Sequence, residues 1–99
     1  MTYSLAFLPS ALKEWEKLDA TVRERFKKKL KERLENPRVP SAALSTMPDT
    51  YKIKLASLGF RLVYRVDNGA VVVTVITMGK RNRGKVYAIA HRRLDEAER

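Results

Sequence analysis

Two short segments of alternating residues constrain this chain more than any other feature of its sequence. Tyr51–Leu55 alternates Tyr51, Ile53 and Leu55 with Lys52 and Lys54, and Phe60–Val66 alternates Phe60, Leu62, Tyr64 and Val66 with Arg61, Val63 and Arg65. An apolar–polar period of two marks a strand with one buried face. With Ala56–Gly59 as a four-residue loop, Leu55 faces Phe60, Ile53 faces Leu62 and Tyr51 faces Tyr64, so all apolar partners share one face. The other face receives Lys54 opposite Arg61 and Lys52 opposite Val63. A slip of one residue drives the charges into the core, which determines the register.

The remaining elements assemble around this pair. Ala70–Met78 is a β-branched run, apolar on both faces, as a central strand requires. Asn68-Gly69 predicts a two-residue hairpin that sets Val73 opposite Tyr64 and Val75 opposite Leu62. Thr2–Leu8 reads as a half-buried strand ended by Pro9, with Ser10 as N-cap of a short helix carrying Leu12, Trp15 and Leu18. Asp19–Thr21 breaks that helix, and Thr21 with Glu24 has the form of a capping box. Val22, Phe26, Leu30 and Leu34 then form one apolar stripe on a second helix ending near Asn36–Pro37. Arg38–Pro48 is a loop. A final short helix over Lys85–Leu94 packs through Val86, Ile89, Ala90 and Leu94, and Asp95–Arg99 is expected to fray. The order β-α-α-β-β-β-α is that of an α+β fold. A helical hairpin packs on a largely antiparallel four-stranded sheet, with the helices expected on one face. Residues 1–99 are expected to form a single domain.

Composition narrows the function classes. No apolar stretch approaches the roughly 18 residues of a membrane span, and the first residues lack a signal-peptide layout, so a cytoplasmic protein is expected. With no cysteine and one histidine, disulfides, thiol catalysis and cysteine-based zinc sites are excluded. Lys and Arg total 21 against 11 Asp and Glu, a formal charge of +10. The excess is uneven: residues 1–50 carry +3, whereas residues 51–94 hold ten cations against Asp67 alone. A polyanionic partner is implied, and the second half is where it sits.

Lys52, Lys54, Arg61 and Arg81, with Tyr87 nearby in sequence, are the candidate catalytic set. Lys52 and Lys54 project from one face of a strand with Cα atoms roughly 7 Å apart, and Arg61 lies across from Lys54. Like charges placed opposite each other destabilise a sheet, and a local rule broken in this way is where function is expected. Cleavage of RNA by its own 2′-hydroxyl needs a base, an acid for the leaving 5′-oxygen and positive charge around the phosphorane. An amine crowded by cations loses its proton more easily, and arginine binds phosphate oxygens while staying charged. Tyr87 offers a ring for stacking a base and a hydroxyl for a hydrogen bond. Arg65, Lys80, Arg83 and Lys85 extend the basic surface as RNA-binding candidates. His91, the single imidazole, is read as a solvated helix residue, and Lys27–Lys29 as a solvated helix face. Trp15, Tyr51, Tyr64 and the three phenylalanines are assigned to packing.

The segments Ala11–Trp15, Met47–Leu55, Gly59–Tyr64 and Gly79–Arg81 with Val86-Tyr87, in this order and spacing, resemble the RelE family of bacterial and archaeal toxins. The resemblance spans nearly the whole chain. It implies a microbial-ribonuclease-like fold and a ribosome-dependent endonuclease that cleaves mRNA in the ribosomal A site. It also implies neutralisation by a cognate RelB-type antitoxin. Lys52 matches the family's general base, and Lys54, Arg61 and Arg81 match residues that bind and stabilise the phosphate, one of them a candidate acid. Tyr87 matches the residue that stacks on or orients the base. Such a site calls for no metal, cofactor, small-molecule ligand or membrane. The alternative within the same scaffold is a ParE-like toxin that poisons DNA gyrase without catalysis. A third reading, a basic RNA-packaging protein, explains the charge but not the ordered cation cluster.

Overall fold

A computed structural model describes residues 2–82 and 84–97. The chain runs β1 (Ser4–Phe7), α1 (Pro9–Glu16), α2 (Ala20–Glu35), a short 3-10 turn (Pro40–Ala42), β2 (Thr50–Leu55), β3 (Phe60–Asp67), β4 (Val72–Lys80) and α3 (Lys85–Ala97). The four strands form one mixed sheet in the order β1-β4-β3-β2, with β1 parallel to β4 and the other pairs antiparallel. The β2–β3 register is the one expected: Tyr51 opposite Tyr64, Ile53 opposite Leu62, Lys54 opposite Arg61 and Leu55 opposite Phe60.

The β3–β4 hairpin departs from expectation. Asp67 pairs with Val72, so the loop holds four residues, and Val73 faces Val66 while Val75 faces Tyr64. A two-residue turn of type I′ needs positive φ at both central residues. Here neither Asn68 nor Gly69 has it, and Val71 takes the positive value instead, at 56°. The Asp67 carboxylate accepts the Ala70 amide at 3.1 Å and closes the wider loop. A shift of two residues keeps every side chain on its face. A bulge between Val63 and Tyr64 on the partner strand then inserts Ile76 into β4, so that Thr77 pairs with Val63 and Met78 with Leu62. Without that extra residue Thr77 would point into the apolar core; with it, Met78 does.

Alternation divides the buried residues into two clusters. One face of the sheet contributes Tyr51, Ile53, Leu55, Leu62, Tyr64, Val66, Val73, Val75 and Met78, which pack with Ala11 of α1 and Val22, Phe26 and Leu30 of α2. The opposite face contributes Val63 and Ile76, which pack with Val86, Ala90 and Leu94 of α3 and with Met47. The helices therefore lie on both faces, correcting the expectation of one. The β-branched run of β4 is apolar on both faces because both are covered.

Helix ends also differ from expectation. The first helix begins at Pro9, with Leu8 as N-cap and no side-chain cap. Proline at the first helical position is already set to a helical φ and has no donor to orphan, so Ser10 falls inside the helix. Asp19, rather than Thr21, caps α2, its carboxylate accepting the Thr21 amide at 3.1 Å. α3 continues to Ala97, so Asp95 and Glu96 are helical rather than frayed, while Glu98 and Arg99 lie outside the described residues. β1 is shorter than the expected Thr2–Leu8, and Leu5 is 40% exposed on it.

Candidate active site

The site is built on the sheet face that also carries α3. Lys52 and Lys54 project from the edge strand β2, and Arg61 projects from β3 directly across from Lys54. Gly59, in the loop before β3, takes φ +70°. Its carbonyl accepts the Arg81 amide at 2.7 Å, which ties the segment after β4 to the β2–β3 loop. Lys54, Ala56, Gly59, Phe60, Arg61 and Arg81 line a shallow cavity of about 150 Å³. Tyr87, on the first turn of α3, accepts a hydrogen bond from Arg61 Nη1 at 2.9 Å, and the guanidinium carbon lies 5.4 Å from its ring centroid. The five residues that sequence reading singled out thus lie in one neighbourhood, drawn from β2, β3, the segment after β4, and α3.

Its electrostatics follow from that arrangement. The Lys54 ammonium is held below the ordinary lysine range, chiefly by the charge of Lys52 and then by Arg61, with Arg81 adding to the repulsion. Among the described residues the ion pairs are Arg38–Asp49 and Arg93–Glu14, with His91 Nδ1 also facing Asp95, and none of these contacts involves the four cations of the site. An uncompensated cluster open to solvent is suited to a polyanion that brings its own negative charge.

The other candidates are placed differently. Arg65 shares the face of Arg61 but sits four residues further along β3, roughly 13 Å away, near Met47, His91 and Leu94. Lys80 and Lys85 line a separate shallow hollow with Asn82, Val86 and Ile89. Arg83 lies outside the described residues. His91 is exposed and faces Asp95 at 3.4 Å on the helix surface, as expected of a solvated residue. Trp15 packs tilted against Phe7, and Tyr51 stacks on Tyr64, consistent with their assignment to packing. Tyr87 combines two roles, half-buried against the α3 cluster and bonded to Arg61.

Three supporting residues were not singled out from sequence. Glu14 of α1 accepts Arg93 Nη1 at 2.8 Å and the Thr77 hydroxyl at 3.0 Å, while Arg93 Nη1 also reaches the Ile76 carbonyl at 2.9 Å. Arg93 thus bonds to the carbonyl of the residue that the bulge inserts into β4. The clasp fastens α3, and with it Tyr87, to the sheet. Arg33, in the last turn of α2, donates to the Lys52 carbonyl and to the Tyr64 hydroxyl. No sequence motif marks these contacts, because each joins residues at least 17 positions apart.

Comparison with known proteins agrees with this architecture. The family model described as the ParE toxin of the type II toxin–antitoxin system parDE matches residues 5–84. The mRNA interferase toxin RelE of Escherichia coli K12 is 56% identical over 94 residues, covering 95% of this chain and 99% of that protein. A solved structure of a doubly substituted E. coli toxin RelE in the free state superposes with a TM-score of 0.88 at 54% identity, covering 95% of this chain and 99% of the other. RelE in the intact E. coli RelBE toxin–antitoxin complex superposes at 0.79 with 58% identity, over 82% of this chain and 99% of the other. With the family model spanning most of the sequence and these relatives covered almost end to end, the chain belongs to the RelE/ParE family of type II toxin–antitoxin toxins.

Proposed function

We propose that this chain is the toxin of a type II toxin–antitoxin pair and a ribosome-dependent endonuclease that cleaves mRNA in the ribosomal A site, acting in the cytoplasm. The observation that carries the reading is the cluster of Lys52, Lys54, Arg61 and Arg81, which has no carboxylate partner among the described residues and in which Lys54 is pushed toward its neutral form by the others. The relatives named as mRNA interferase RelE share more than half of their residues with this chain. Among the described residues no helix is long and apolar enough to cross a membrane.

The chemistry follows from two crowded amines. Repulsion from Lys52 and then Arg61 favours loss of the Lys54 proton, so the two amines can supply a base and an acid. The neutral amine takes the proton of the 2′-hydroxyl as the 2′-oxygen forms its bond to phosphorus. The P–O5′ bond breaks, and the protonated partner supplies a proton to the leaving 5′-oxygen, leaving a 2′,3′-cyclic phosphate and a 5′-hydroxyl. Arg61 and Arg81 neutralise the phosphorane oxygens, and Tyr87, braced by Arg61, stacks on or orients the base. Arg65, Lys80, Arg83 and Lys85 contact the RNA backbone by charge. The cavity beside Lys54, at about 150 Å³, is too small to enclose a nucleotide, so a flexible strand needs ordering from elsewhere. A ribosome that holds the mRNA with its 2′-hydroxyl in line supplies that orientation.

A RelB-type antitoxin is the expected partner, since RelE of E. coli is found in complex with RelB and with a RelB peptide. A chain this basic attracts an acidic segment that folds upon it.

Primer extension on a defined mRNA, held on ribosomes with an empty A site, tests the activity. Cleavage within the exposed codon is expected, with none on naked RNA and none from Arg81→Ala. The match to a model named for ParE keeps gyrase poisoning as the second reading. Folded protein that leaves ribosome-bound mRNA intact but blocks gyrase-driven supercoiling would establish it instead.

A further inference from the structure

The strand that carries both lysines is the edge of the sheet. One side of β2 bonds to β3; on the other, every second carbonyl points outward with no strand to receive it. The Thr50 carbonyl is one of these, and the Leu44 amide caps it at 3.0 Å. Two residues on, with the same orientation, comes the Lys52 carbonyl. Arg33 Nη1 donates to it at 3.1 Å, and the same nitrogen donates to the Tyr64 hydroxyl at 2.8 Å. That hydroxyl in turn donates to the Pro37 carbonyl at 2.6 Å, and Tyr64 is fully buried. The guanidinium is thus anchored on both sides: its Cα by the last turn of α2, its head by a tyrosine that cannot move without disturbing the core. No carboxylate pairs with Arg33 among the described ion pairs, so its contacts are directed at this strand.

We propose that Arg33 is a positioning residue for the lysine strand: with Tyr64 it pins the Lys52 carbonyl and so fixes where Lys52 and Lys54 stand relative to Arg61 and Arg81. The inference rests on the catalytic reading of the two lysines given above. The need for such a pin is electrostatic. Lys52, Lys54 and Arg61 repel one another across the β2–β3 pair, and an edge strand is braced from one side only. A contact from the apolar side holds the strand in place without adding a carboxylate, which would neutralise the cluster it supports. Arginine suits the position because one planar head serves two acceptors in a fixed geometry.

The test separates placement from charge and from folding. Arg33→Met removes the pin together with a charge; Tyr64→Phe removes the anchor and no charge, keeping the ring in the core. The titration of the Lys54 side chain, followed by NMR in the free protein, is expected to move upward toward an ordinary lysine in both variants. Single-turnover cleavage on saturating ribosomes is expected to slow roughly tenfold in Arg33→Met, the scale of a small misplacement. Its amplitude and half-saturating ribosome concentration should stay unchanged, whereas a partly unfolded protein would lose amplitude. The double variant should be no worse than Arg33→Met alone, because both act on one contact. A Lys54 titration that stays at its wild-type position in Tyr64→Phe while shifting in Arg33→Met means that charge alone acts, and overturns the proposal. A titration unmoved in both overturns it equally. The NMR readout needs no activity, so a wild-type protein unable to cleave would remove the catalytic reading and still leave this placement decided.

Discussion

On one face of the sheet Ile53, Leu62, Tyr64, Val66, Val73 and Val75 lie buried beneath α1 and α2; on the other, the same strands raise Lys52, Lys54 and Arg61 side by side. Each residue of the first set gains from leaving water, at about 1.5–3 kcal/mol for a large apolar side chain. Each like-charged pair of the second costs a fraction of that, about 0.2–1 kcal/mol. The ledger is lopsided, and that is what allows the cationic face to exist: a well-buried face holds strands whose other face repels itself. The face with the cations is covered only in part, where α3 buries Val63 and Ile76 and brings Tyr87 to the edge of the cluster. The buried core and the cation cluster thus lie on opposite sides of one backbone, with Arg33 and the Glu14–Arg93 clasp as contacts between the helices and that sheet.

The sharpest way to break this comparison is to substitute one residue from each face. Arg81→Ala is expected to lower cleavage by at least about 100-fold, as loss of a transition-state donor does, with the thermal midpoint unmoved because only its backbone amide bonds to Gly59. Phe26→Ala, which empties a fully buried site, is expected to cost about 3–5 kcal/mol in urea unfolding. Its folded fraction should cleave at the normal rate. A cleavage defect that persists in folded Phe26→Ala, or a large stability loss in Arg81→Ala, would show that the faces are not separable.

A subtler change acts on the cluster itself. Lys52 is the main cause of the lowered Lys54 pKa, so Lys52→Met should let Lys54 rise toward the ordinary lysine range. That rise is read by NMR titration of Lys54 in the free protein, because Lys52→Met also removes one of the two proposed acid–base amines and should slow single-turnover cleavage at every pH. High salt should move the wild-type Lys54 titration the same way by screening the repulsion. An unmoved titration in Lys52→Met would mean that Lys52 does not set it. The smallest effect is expected from the clasp. Glu14→Gln keeps the shape but weakens the bond to Arg93, whose side chain is 17% exposed. A cost of about 1 kcal/mol is expected for this partly solvated pair. Hydrogen exchange should rise in α3 before it rises in β3 or β4; uniform exchange would show that α3 is held by its apolar stripe alone.

Much of this was legible in the sequence because it depended on periodicity. A strand's alternation together with the short β2–β3 loop gave that register residue by residue, including the meeting of Lys54 and Arg61, since a slip of one residue would bury a charge. The hairpin was less legible. Asn68-Gly69 is a strong local signal, yet the wider loop through Val71 satisfies the same facial pattern, because a shift of two leaves alternation intact. The bulge at Ile76 was invisible, being a response to where Thr77 would otherwise fall. The face taken by α3 was likewise undetermined, as its apolar stripe fits either side of a sheet whose central strand is apolar on both.

The sequence by itself determined the alternating strands, the apolar stripe of α2 and the cationic second half. Those features are encoded in spacing, and spacing is local. The tertiary structure decided which residues support them: Arg33 behind Lys52, Gly59 beneath Arg81, and Glu14 and Arg93 across the bulge. Each of these joins a donor to an acceptor whose place is set only once the sheet edge, loop or bulge has formed. A hydrogen bond to such a group answers a geometric placement rather than a sequence pattern.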